Sequence, residues 1–289
     1  MTSALSVAGL GHRYRGDRWA LDDCTFTVPT GRVVALVGPN GAGKTTLLNV
    51  AAGLLRPTSG TVQVAGQSPQ HRLELIGYVA QDAPLWPQLR VADVIEIGQC
   101  MNPRFDKQRA DTRLEDLEIP PRSRIHTLSG GQRAQVALTL VLAKRPELLL
   151  LDEPLANLDP LARRDFLTSM LSHCASDGIT VVFSSHVIAE LERICDYLVV
   201  LGHGRVQLVG DIEDLRATHR IVTGPAGWPQ HTGMTVVSSH QIAGRSTGLV
   251  RLDPGMGIGP GLDAAQPSFD ELALGYLERM QTQRQTVPA

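Results

Sequence analysis

No uninterrupted apolar stretch in this sequence approaches the roughly 18 to 20 residues that cross a bilayer, and Met1–Leu10 has neither the basic start nor the long apolar core of a secretory signal. A chain that is soluble by itself is therefore expected. Charge of one sign is also missing. The 27 basic and 29 acidic side chains leave a formal charge of -2, with a sequence pI near 6.5, which removes any global electrostatic case for nucleic acid or anionic lipid. Cysteine is sparse: Cys24, Cys100, Cys174 and Cys195 stand singly, with no CxxC pair and no Cys/His metal spacing, so free thiols in a reducing compartment are expected. No internal repeat or low-complexity tract is evident.

What is present is enough apolar material, 43% of 289 residues, for one large core or two moderate ones. Within it, Val33-Val34-Ala35-Leu36-Val37 reads as a buried strand and Thr45 to Ala52 as a helix, joined by Gly38-Pro39-Asn40-Gly41-Ala42-Gly43-Lys44-Thr45, with Thr46 following. A glycine-rich loop opening a helix is an anion site, because unpaired backbone N–H groups and the positive end of the helix dipole point the same way. Gly41 and Gly43 carry no side chain to block approach. A triphosphate fits, with Lys44 reaching its β- and γ-phosphates and the Thr45 hydroxyl meeting Mg²⁺.

A second apolar run, Leu148 to Leu151, ends in Asp152, Glu153 and Pro154, the proline stopping further ladder pairing. Its carboxylates emerge at a strand's C-terminal end, where open α/β sheets place ligands. Alone, such a strand end more often just faces solvent; beside the loop at Lys44 the functional reading prevails. Between these motifs lies Leu128-Ser129-Gly130-Gly131-Gln132, in which Ser129 and Gln132 have capping-box spacing and Val136, Ala137 and Leu140 continue as a helix. It reads either as a well-capped helix that binds nothing or, with Gly130 and Gly131 leaving its amides uncovered, as a second anion site.

The order and spacing of these three motifs resemble the nucleotide-binding subunit of ATP-binding cassette (ABC) transporters, from about Ser6 to Arg216. The resemblance implies an α/β P-loop NTPase core of the ABC type, with an N-terminal antiparallel β subdomain, an inserted α-helical subdomain and a small C-terminal accessory region. It implies that Asp152 holds the Mg²⁺ shell and that Glu153 is the general base for the attacking water. His186, after the strand Ile179–Ser184, matches the switch histidine, and Gln81, after Ile76–Ala80, the glutamine that senses Mg²⁺ and begins the segment facing the membrane partner. Tyr14 stands where the family places a ring against adenine, with Trp19 a nearby competitor. Ser129, Gly130, Gly131 and Gln132 would meet nucleotide bound by a second subunit, and Asn157-Leu158-Asp159 resembles the loop between the two sites; Asp159-Pro160 is equally an N-cap followed by a first helical position. The implied protein is a Mg²⁺-dependent ATPase at the cytoplasmic face of a membrane. It works as a homodimer or heterodimer and powers a separately encoded permease, more in the texture of export than import, without a nucleic-acid partner. The alternatives are a soluble cassette acting on ribosomes or DNA, and a nucleotide-binding regulator with little turnover.

The expected organisation is a cassette over residues 4–220, with its helical insertion at about 82–145, and an accessory region over 221–289. In the latter, Val236-Val237 and Leu249–Leu252 suggest short strands and Gly255–Gly261 a link. Ser268 and Glu271 again have capping-box spacing. Phe269, Leu272, Ala273, Tyr276, Leu277 and Met280 form one apolar helix face, suited to docking on the chain itself or, alternatively, to dimer contacts.

Overall fold

The computed structural model describes residues 3–285 apart from 17, 82–83, 186–187, 189–190, 228–232, 243 and 260. Its centre is a six-stranded sheet in the order β5-β6-β7-β3-β8-β9: β3 (Val33–Val37), β5 (Ile76–Val79), β6 (Leu148–Asp152), β7 (Thr180–Ser185), β8 (Tyr197–Gly202) and β9 (Arg205–Asp211). All neighbours pair in parallel except the β8–β9 hairpin. β6 is Leu-Leu-Leu-Leu-Asp and buried throughout, as a parallel strand covered on both faces must be. One face carries α1 (Lys44–Ala51) and, beyond it, an antiparallel sheet β2-β1-β4 formed by β1 (Ser3–Arg13), β2 (Trp19–Pro29) and β4 (Ser59–Val64). The alternating burial along β2 matches its period-two side-chain pattern.

The other face packs on α4 (Gly130–Ala143) and α5 (Pro160–Asp177). α4 belongs to the inserted helices, with α2 (Val91–Met101) and α3 (Lys107–Asp116). These share a core of Val91, Val94, Ile95, Leu114, Ile125 and Val136. Arg113 of α3 is buried where three helices meet, donating to Gln135 Oε1 at 2.7 Å, to Thr139 Oγ1 at 3.0 Å and to the Ser169 hydroxyl of α5. Burial, followed by the charge of Arg109, lowers its pKa to about 10.

After α6 (Ile212–Thr218) comes a four-stranded antiparallel sheet, β11-β12-β10-β13, built from β10 (His219–Pro225), β11 (Met234–Ile242), β12 (Arg245–Leu252) and β13 (Asp263–Ala265). The sequence suggested only two short strands here. β11 and β12 run nine and eight residues, their register stepping by one at a bulge between Val236 and Ser238. The last helix, α7 (Phe269–Gln285), has the expected cap: Ser268 Oγ accepts from Glu271 N at 3.1 Å and Glu271 Oε2 from Ser268 N at 2.7 Å. Of its two possible uses, the apolar face takes docking on the chain itself. Phe269, Leu272, Ala273 and Tyr276 enter the core that also holds Val200, Val237 and Leu249. Among the described residues no helix is long and apolar enough to cross a membrane.

Candidate functional site

The loop between β3 and α1 is shaped by its glycines. Gly41 and Gly43 have φ of 78° and 107°, and a Cβ on Gly43 would stand 2.5 Å from the Ala20 carbonyl oxygen, so position 43 admits glycine alone. Lys44 follows as the first residue of α1 and is buried. Its Nζ donates to Gly38 O at 2.8 Å and Pro39 O at 3.4 Å, and lies 3.4 Å from Glu153 Oε1. Lys44 is thus held inside the loop, neutralised by the carboxylate expected to act as base.

At the end of β6, Asp152 is 1% exposed; its Oδ1 accepts from the Ser184 hydroxyl at 2.8 Å, while its Oδ2 is buried with no hydrogen-bond partner. An orphaned buried carboxylate oxygen is costly unless something cationic meets it. Thr45, Gln81 and Asp152 line one cavity of about 640 Å³, so a hydroxyl, an amide oxygen and a carboxylate face a common space, and this all-oxygen set fits Mg²⁺. Bound there with a triphosphate, the ion would neutralise charge on the phosphate oxygens.

Glu153 takes the uncommon φ of 45°. Its N–H donates to the Ser184 carbonyl and hydroxyl oxygens at 3.2 and 3.0 Å. Strain of this kind persists where neighbours over-determine the backbone, and here Ser184 of β7 holds the Asp152 carboxylate and the Glu153 backbone at once. The sequence reading passed over Ser184 as a strand residue. Nothing in the sequence alone sets it apart from the strand's other hydroxyls, Thr180 and Ser185.

The adjoining cleft, about 690 Å³, is lined by Tyr14, Arg15, Arg18, Trp19, Asn40, Gly41, Lys44, Thr45, Thr46, Gln81 and Glu153. Tyr14 is half exposed, edge-on to His12, with its hydroxyl 3.3 Å from Thr46 Oγ1. Trp19 carries the Arg13 guanidinium over its ring, 5.6 Å from the centroid, so both candidate rings line the cleft and both have contacts of their own. Arg15 and Arg18 were also passed over, since nothing in the local sequence ties them to the loop at Lys44. His186 lies outside the described residues.

The remaining candidates are not brought to this cleft. Ser129 caps α4, its Oγ accepting from Gln132 N at 3.1 Å while Gln132 Oε1 accepts from Ser129 N at 3.0 Å. Gly130 and Gly131 lie against the chain's own Asn157 carbonyl and Ala162, where a Cβ would stand at 3.5 and 3.0 Å. Asp159 caps α5 through Leu161 N and Ala162 N, both at 3.0 Å. One chain therefore holds a phosphate loop with its acidic strand end and, apart from them, the capped N-terminus of α4, packed on the start of α5.

The family model described as ABC transporter matches residues 21–156, spanning both the phosphate loop and the acidic strand end. Over 217 residues the chain is 33% identical to an uncharacterized ABC transporter ATP-binding protein, YxlF, of Bacillus subtilis, covering 73% of this chain and 72% of that one. The protein belongs to the ABC transporter family. It is 38% identical over 228 residues to the cobalt import ATP-binding protein CbiO of Rhodobacter capsulatus, covering 73% of this cassette chain and 79% of that relative. It spans only 65% and 58% of iron(III) and molybdenum import ATP-binding proteins that it also matches. A dimeric ATP-binding cassette, solved in a post-hydrolysis state with ADP and Pi, superposes with a TM-score of 0.65 at 25% identity, over 72% of this chain and 98% of that one. The fold is that of the ABC ATPases, and the protein is an ATP-binding subunit whose hydrolysis of ATP powers transport.

Proposed function

We propose that this cassette binds Mg²⁺-ATP between Lys44 of one copy and Ser129 of another, and that closure of the pair drives a separately encoded permease from the cytoplasmic face of the membrane. The supporting observation is that the Ser129–Gln132 helix N-terminus does not line the Lys44 cleft, so each anion site is half of a complete one. Tyr14 would hold the adenine, and Gly38 to Thr46 the phosphates. Thr45, Gln81 and Asp152 would hold the Mg²⁺, and Glu153 would orient the attacking water. The ion pair at 3.4 Å makes the base conditional. A γ-phosphate that draws Lys44 toward itself would weaken this pair, so the ion pair ties the state of Glu153 to the presence of a triphosphate. ATP contacting both copies only when closed favours closure by its differential affinity, and hydrolysis removes that preference.

A permease contact is supported by an apolar groove of about 480 Å³ between the inserted helices and β5, in which Leu54, Leu73, Trp86 and Met101 stand exposed. The working unit is read as a homodimer of residues 4–220, with 221–289 as an accessory region. Export was the direction expected from sequence. No residue chemistry supports it, and named relatives of this chain import cobalt, iron(III) and molybdenum. Co-purification of the tagged chain from membranes, with identification of the bound subunit and transport assayed in vesicles of both orientations, tests partner and direction together. Recovery of ribosomes in place of a membrane protein would overturn the reading.

A further inference from the structure

The docked position of α7 links the accessory region to the nucleotide site through direct contacts. Met280, buried in the last part of α7 whose side chains are described, rests on Gly202 so closely that a methyl group at position 202 would overlap its sulfur. One turn earlier on the helix's buried face, the Tyr276 hydroxyl and His219 Nε2 are 2.9 Å apart, and His219 Nδ1 is 2.8 Å from the Leu215 carbonyl oxygen, fixing α7 to the root of the accessory sheet.

Gly202 opens the tight turn from β8 to β9, and the far side of that turn is the wall of the phosphate loop. Gly204 N donates to Ala42 O at 3.0 Å. The Leu201 carbonyl oxygen lies so near Gly38 that no side chain fits there, and Leu201 Cδ2 is 3.5 Å from where a Cβ on Gly43 would stand. Asp22 N donates to Gly204 O at 2.8 Å and Cys24 Sγ approaches the same oxygen at 3.0 Å, tying the turn to β2. Met280, the 202–204 turn and residues 38–43 thus form one close-packed stack, with backbone in contact with backbone on the loop side. Close-packed interiors transmit small displacements, and a loop that grips phosphate through backbone N–H groups depends on where those groups point.

We infer that α7 is a positioning element for the phosphate loop, with Met280 the residue through which the accessory region sets the loop's shape and so its affinity for a nucleoside triphosphate. This rests on the reading that Gly38–Thr45 bind ATP, which the wild-type affinity checks separately. A wild type that fails to bind ATP would sink that reading, whereas equal binding by wild type and variant would sink this one.

The test uses the full chain. Mg²⁺-ATP affinity, kcat and KM are measured, with hydrogen exchange of residues 38–45 in the nucleotide-free protein. For Met280→Ala, Kd and KM should rise about threefold to tenfold, as for a displacement well below 1 Å at a binding site, with kcat within about twofold and faster exchange in 38–45. Met280→Leu, which nearly conserves volume, should restore all three values to within about twofold of wild type. Leu274→Ala, at an exposed position of α7, should change none of them. Should Met280→Ala fail to fold, Gly202→Ala displaces the same sulfur from the other side and should raise Kd and KM alike. Folded Met280→Ala with unaltered Kd, KM and exchange overturns the inference, whatever its melting temperature.

Discussion

Replacing Ser184 with alanine isolates the support beneath the proposed metal and base residues. The hydroxyl donates to Asp152 Oδ1 at 2.8 Å and accepts the Glu153 N–H at 3.0 Å, in a pocket where Asp152 Oδ2 already lacks a partner. Hydrogen bonds to a charged group are worth about 1.5–3 kcal/mol, and the carboxylate cannot recover this one from water because Asp152 and Ser184 are 1% and 0% exposed. The Mg²⁺-free fold should therefore lose about that much stability. Loss of an orienting partner behind a metal ligand typically costs about 10- to 100-fold in metal affinity or activity. Freeing the carboxylate charge acts in the opposite direction, but Ser184 also braces the strained Glu153 backbone, so the loss should prevail. ATPase activity titrated with Mg²⁺ should show a half-maximal concentration raised, and kcat lowered, within that range. ATP binding in EDTA should change much less, since the Ser184 hydroxyl bonds to Asp152 and Glu153 and reaches Lys44 only through the Glu153 ion pair. A variant with wild-type Mg²⁺ dependence and wild-type unfolding free energy would refute the reasoning.

Lys44→Ala should weaken ATP binding by removing the loop's buried cation, as calorimetry would register; unaltered affinity counts against the assignment. Ser129→Arg should leave ATP binding to a single copy intact and abolish ATP-dependent association in gel filtration, because in the proposed pair only the nucleotide held by the other copy would meet Ser129. Arg113→Met removes the guanidinium shared by Gln135, Thr139 and Ser169. With three polar groups left to find other partners, chemical denaturation should report a loss of about 2–4 kcal/mol, and a neutral result would mean the helices repack around the apolar side chain. His219 is buried and its pKa is lowered, first by desolvation and then by Arg251, against a hydrogen bond to Leu215 that raises it. As pH falls below about 6.5 the unfolded chain takes up a proton that the folded chain refuses, so stability declines until the folded pKa is passed. His219→Gln should flatten the difference in unfolding free energy between pH 7.5 and 5.5; an equally steep decline would place its origin elsewhere.

The core of the site was legible because its chemistry is local. A strand, a glycine loop and a helix must be contiguous to cradle phosphate, so Gly41, Gly43 and Lys44 declare themselves, as do the caps at Ser129, Asp159 and Ser268. Ser184 and Arg18 were not legible. Their relevance comes from lying beside residues remote in sequence, and only the parallel pairing of Asp152 with Ser184 in adjacent strands puts that hydroxyl on the carboxylate. The apolar face of α7 was visible by periodicity, yet its destination was not, since a stripe of Phe269, Leu272 and Tyr276 says that something is covered and not what. Arg113 was missed for a similar reason: in a polar helix it looks solvated, and its burial arises only where α3, α4 and α5 converge.

Sedimentation of Glu153→Gln with and without Mg²⁺-ATP tests the shared-nucleotide claim most directly. If each copy supplies half of the other's site, the hydrolysis-impaired chain should be monomeric alone and dimeric at saturating ATP, and Ser129→Arg in the same background should return it to monomer. A protein that binds ATP fully and remains monomeric, or a dimer indifferent to the Ser129 substitution, would contradict the account.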